Sequence, residues 1–174
     1  MLKMSNKDDV LMTTLSEFFR TPDNINKMLE ITETKTSPIS LRLLDWFATN
    51  YSKKYGTVID DKSTGLPINI YFDYKNQLSS YKKTRFDPFC RQDRIKFYHD
   101  VDKSTRTTIA QLNFFKWVIS KGVLDYVNEH IPEITLDMTR VSKNKAEPKA
   151  KRTLITPTQK TMTYTTKTTI VDFN

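Results

Sequence analysis

The sequence predicts an α+β fold, a helix-dominated single domain with a small sheet and a basic, Thr-rich C-terminal tail. Two segments carry that prediction for the helices: SLRLLDWFATNYSKKY at Ser40–Tyr55, and the run TIAQLNFFKWVIS in a segment that begins at Thr107. Both place apolar residues at helical spacing. Short β-prone runs at 57–59, 68–72 and 94–99 supply the sheet. Beyond Arg140 the composition turns basic and polar, which sets a domain over residues 5–140 and a linker and tail over 141–174, extended or disordered.

Taken in order, residues 6–20 read as an amphipathic helix with Val10, Leu11, Leu15, Phe18 and Phe19 on one face. Thr21-Pro22 restarts the chain, Thr as a cap and Pro at the first helical position, and Ile25, Met28 and Leu29 turn inward. Ser37 and Pro38 give the next start signal. Ile39, Leu43, Phe47 and Tyr51 recur every four residues until Gly56 stops the helix. Two short strands, 57–59 and 68–72, flank the turn-rich DDKSTGLP. Asp73 caps a predicted helix reaching about Lys83, and Asp87-Pro88 ends any helix there. A strand follows over 94–99. The helix from Thr107 is apolar on nearly all sides, with only Asn113, Lys116 and Ser120 in a polar stripe, so it belongs at the centre of the domain. Residues 123–130 predict a last helix, stopped before Pro132.

Charge is uneven along the chain. Of the formal net charge of +8, residues from Arg140 onward hold eight cations against two acids, leaving +2 for residues 1–139. Within the core, Tyr74–Phe97 holds Lys75, Lys82, Lys83, Arg85, Arg91, Arg94 and Lys96 against Asp87 and Asp93. Charge gathered into two segments points to a polyanionic partner. A solubilising surface with a basic tail is the plainer alternative.

Enzyme chemistry has little to stand on. Cys90 is the single cysteine, so no internal disulfide or cysteine metal cluster can form. It reads as a small packed hydrophobe. His99 and His130 lie in no triad signature, and the sequence has no P-loop, GxGxxG or HExxH. Asp60 and Asp61 read as turn formers rather than metal ligands. Asp87, Asp93 and Lys96 lack the further carboxylates that two-metal nucleases use. No catalytic residue, metal or cofactor is expected. No apolar run approaches the ~20 residues of a membrane span. The N-terminal MLKMSNKDDV lacks the features of a targeting peptide.

Binding remains. Arg85, Arg91 and Arg94 match phosphate oxygens in bidentate fashion. Lys82, Lys83 and Lys96 add charge without base specificity. Arg106 and Lys116 extend the surface if the Thr107 helix packs nearby, and Lys149, Lys151 and Arg152 carry it into the tail. The opposing expectation is that these Arg pair with Asp87, Asp93 and Asp100 and merely fix the loop. Phe86 and Phe89 read as core anchors.

Three stretches, SLRLLDWFATNYSKKY at Ser40–Tyr55, YKNQLSSYKKTRFDPFCRQDRIKFY at Tyr74–Tyr98 and TTIAQLNFFKWVISKGVLDYV at Thr107–Val127, resemble an uncharacterised protein family of large nucleocytoplasmic DNA viruses, the giant viruses. The resemblance implies a viral protein of the host cytoplasm or nucleus, acting in a virus factory or packaged in the virion. It transfers no catalytic assignment. The expectation is a non-enzymatic nucleic-acid-binding protein for genome organisation, packaging or transcription support. The rival is a virion scaffold or adaptor that binds other viral proteins through its extended tail.

Overall fold

The apolar helix expected at the centre of the domain forms as α7 (Ile109–Ser120). The computed structural model describes residues 6–146, so most of the predicted tail, from residue 147 on and including Lys149, Lys151 and Arg152, lies outside the described residues. The α+β class stands: helices dominate, joined by two small antiparallel sheets. Thr108, one residue inside the predicted start, caps α7 by accepting the Gln111 N–H at 3.1 Å. Around α7 pack α1 (Asn6–Phe19), α2 (Pro22–Thr32), α6 (Lys83–Phe86) and α8 (Val123–Glu129). Leu112, Phe114, Phe115 and Val118 are fully buried. Phe114 and Trp117 join Tyr74 and Phe86 in an aromatic cluster with centroids 5.6 to 6.5 Å apart. Such pairs are worth about 0.5–1.5 kcal/mol each beyond their buried area. The Trp117 indole N–H donates to Asp73 Oδ2 at 2.6 Å, and buried Asn113 donates through Nδ2 to the Arg85 carbonyl at 2.9 Å. Every polar group this helix carries inward therefore has a partner.

Several boundaries differ from expectation. Pro22 does open α2, but Thr21 makes no side-chain cap. The helix expected from Pro38 starts later: Ser37 Oγ accepts the Ile39 N–H at 3.1 Å in a local turn that buries Ile39. Ser40 then caps α3 (Leu41–Trp46) by accepting from Leu43 N. The same run widens into a π-helical turn at Phe47–Tyr51 and closes as α4 (Ser52–Tyr55), with Gly56 at φ +62°. α5 (Ile70–Tyr81) begins three residues before Asp73, because Asn69 accepts the Phe72 N–H at 3.2 Å and ends the preceding strand. Asp73 instead holds Trp117. Lys82, at φ +65°, breaks the chain between α5 and α6.

Two further elements were not expected. α9 (Ile131–Ala146) carries Pro132 in its first turn, where a missing N–H costs no hydrogen bond, so the proline admits a helix rather than stopping one. It continues past residue 140. Asp137 clamps it to the α3–α4 run, accepting from Trp46 Nε1 and Tyr55 Oη at 3.2 Å each and pairing with Lys54. The second is a strand. β3 (Ile95–Tyr98) pairs with β4 (Ser104–Thr107), whose STRT sequence carries little apolar signal. The other hairpin joins β1 (Val58–Asp60) to β2 (Pro67–Asn69). Its turn is built on Asp61, which accepts from Ser63 N at 2.8 Å, Ser63 Oγ at 2.6 Å and Lys121 Nζ at 2.5 Å. Burial opposes ionisation there, but these hydrogen bonds outweigh it and hold the carboxyl well below the usual range.

Candidate nucleic-acid interface

Period-two alternation builds the β3–β4 hairpin. Phe97, Thr105 and Thr107 face inward, Phe97 meeting the Phe19 ring at 6.0 Å. Lys96, Tyr98 and Arg106 face solvent, and Arg94 continues the exposed row ahead of the strand. Lys96 and Arg106 stand directly opposite one another. Like charges across an antiparallel pair are destabilising, so the hairpin carries a small repulsion that an anion would relieve. The Lys96 ammonium lies 4.8 Å from the Tyr98 ring centroid.

Beside β4 lies a groove of about 590 Å³, lined from three parts of the chain. The end of α2 contributes Ile31 and Glu33; the connector and start of α3 contribute Lys35, Ile39, Leu41 and Arg42. Phe89, Arg94 and β4 complete it. Its cations are Lys35, Arg42, Arg94 and Arg106, against one carboxylate, Glu33, which is engaged by the Thr105 hydroxyl. Among the described residues none of these four cations has a carboxylate within 4.0 Å. Hairpin face and groove share Arg94 and Arg106, so they form one continuous basic surface.

The structure divides the residues expected to bind. Arg94, Lys96 and Arg106 come together. Arg91 is exposed on the loop leading into β3, and Lys82 and Lys83 are exposed at the α5–α6 break. Among the described residues no hydrogen bond or ion pair ties these three to the hairpin. Arg85 is a correction. Its Nε lies 2.5 Å from Asp8 Oδ1, with both side chains mostly covered, so it ties α6 to α1. Its partner is not one of the acids expected. Lys116 is half-buried on α7, where burial lowers its pKa and Glu17 only partly offsets this.

The aromatics also divide. Phe86 is fully buried, as expected of an anchor, whereas Phe89 is 54% exposed at the groove. His130 stacks on Tyr126 and bonds its carbonyl through Nδ1 at 2.8 Å, a packing role. Lys35 and Arg42 were not anticipated. Each is an isolated cation in its own stretch, and only the fold sets them opposite β4.

The chain matches the family of unknown function DUF7197 over residues 2–168. It is 37% identical over 155 residues to the uncharacterized protein L507 of Acanthamoeba polyphaga mimivirus, covering 84% of this chain. The chain spans 60% of that relative's length. No solved structure matches it. The giant-virus kinship expected from the three conspicuous stretches is therefore found, and no helix among the described residues is long and apolar enough to cross a membrane. The chain belongs to DUF7197, a family of unknown function, and is similar to a giant-virus protein.

Proposed function

We propose that this chain is a non-enzymatic nucleic-acid-binding protein that neutralises phosphates with the solvent face of the β3–β4 hairpin and the groove beside it. One observation carries the reading. Five cations from distant parts of the chain, Lys35, Arg42, Arg94, Lys96 and Arg106, share one surface and have no carboxylate partner among the described residues. Unpaired cations beside exposed aromatic rings suit a phosphate backbone and its bases. In a viral setting such a protein serves genome organisation, packaging or transcription support, in the virus factory or the virion.

The test is binding of labelled DNA to the full chain across a salt series. If about four or five phosphates are neutralised, log K falls with log salt at a slope of about −4 on duplex. Replacing Arg94, Lys96 and Arg106 together by Ala flattens that slope by about 2 to 3. An unchanged slope in the triple variant would remove the hairpin from the interface.

A further inference from the structure

The groove is more than a basic patch. Its lining combines apolar side chains, Ile31, Ile39 and Leu41, with a half-exposed ring, Phe89, and four exposed cations. A free phosphate would leave the apolar wall unused, and an apolar ligand would leave the cations unused. A nucleotide uses both. The volume of about 590 Å³ lies within the range of clefts that enclose a small ligand. A duplex keeps its bases stacked inside and offers such a cleft only backbone, whereas an unpaired base can enter and stack on Phe89.

The strand edge adds hydrogen bonding. His99 N donates to Lys103 O at 3.1 Å, which sets the phase of the ladder. Bonded pairs then alternate at Phe97 with Thr105 and at Ile95 with Thr107. The N–H and C=O of Arg106 accordingly point to the outer edge of β4, which borders the groove.

We infer that the groove seats one unpaired nucleotide, its base against Phe89 and its flanking phosphates on Arg94, Arg106, Lys35 and Arg42. The protein therefore prefers single-stranded to duplex nucleic acid. This rests on the nucleic-acid reading above and names the form of nucleic acid taken by the same surface.

The experiment compares a thymidine decamer, a duplex of equal length and a polyglutamate of equal charge, each titrated with the full chain and with its Phe89→Ala and Phe89→Tyr variants. The decamer binds tightest. Phe89→Ala weakens it about tenfold, as expected for losing one stacked base, while leaving its salt slope and the duplex affinity unchanged. Phe89→Tyr restores binding, which separates stacking from a folding defect. If the duplex binds as tightly as the decamer, or Phe89→Ala leaves the decamer unaffected, the groove inference falls and phosphate binding by the hairpin stands. If polyglutamate equals the decamer, the groove takes acidic peptide and the inference is overturned. If neither nucleic acid binds, the functional reading itself has failed, and this inference with it.

Discussion

Replacing Arg85 by Ala separates an arginine that holds the fold from those proposed to meet phosphate. The guanidinium bridges α6 to Asp8 on α1, with side-chain exposures of 27% and 20%. That places the pair between a surface ion pair, worth about 0–1 kcal/mol, and a buried one, whose disruption costs about 3–5 kcal/mol. A loss of about 1–2 kcal/mol follows. With an unfolding entropy near 2.1 cal/mol/K per residue over about 140 folded residues, the midpoint falls by about 3–7 °C. Urea unfolding of Arg85→Ala, Asp8→Asn and the double variant closes a thermodynamic cycle with a coupling of about 1 kcal/mol. DNA binding below the midpoint stays within twofold of wild type. The reasoning is refuted if stability is unchanged while the salt slope of binding drops, since Arg85 would then be contacting phosphate.

Two further outcomes concern stability. Burial, then the neighbouring Asp87 carboxylate, pushes the Asp45 pKa up to about 6. Its unfolded value is near 3.9, so the folded chain binds the extra proton. This stabilisation is complete below about pH 4 and is lost as pH rises through about 6. With solvent screening the penalty at pH 7 is about 1–2 kcal/mol, so Asp45→Asn stabilises by about that amount at pH 7 and by nothing at pH 4. A pH-independent gain in urea unfolding would contradict this. The second outcome compares Gly122 with Gly56, both left-handed, at φ +79° and +62°. A Cβ at Gly122 would lie 3.0 Å from Lys62 Cγ and disturb its pairing with Asp125, whereas one at Gly56 meets nothing within 4 Å. Gly56→Ala therefore costs about 1 kcal/mol and Gly122→Ala about 2, and equal costs would show that Lys62 yields freely.

The legible parts of the fold were those where a periodic apolar signal met a cap. α7 is apolar on so many sides that only a central position suits it, and Gly56 marks the end of α4 by its left-handed backbone. β4 hid because Thr suits strands, inward faces and helix caps alike; Thr107, read as the start of the helix, is the last residue of the strand. α9 hid behind Pro132, although Ile131, Ile134, Met138 and Val141 keep helical spacing. The basic surface was half legible. Arg94 and Lys96 alternate with Ile95 and Phe97 in plain view, but Lys35 and Arg42 reach the same groove only through tertiary folding. Arg85 misled because its partner, Asp8, lies 77 positions away and no local pattern links them.

The central claim is that the hairpin and its groove, within the folded domain, meet nucleic acid. Backbone amide shift mapping of the full chain during titration with a thymidine decamer tests it most directly. Shifts are expected to cluster at 89, 94–98, 104–107 and 33–42, with Lys82, Lys83 and Arg85 nearly still. Shifts confined to residues beyond 146, or spread over α5 and α6 while the hairpin stays unmoved, would contradict it.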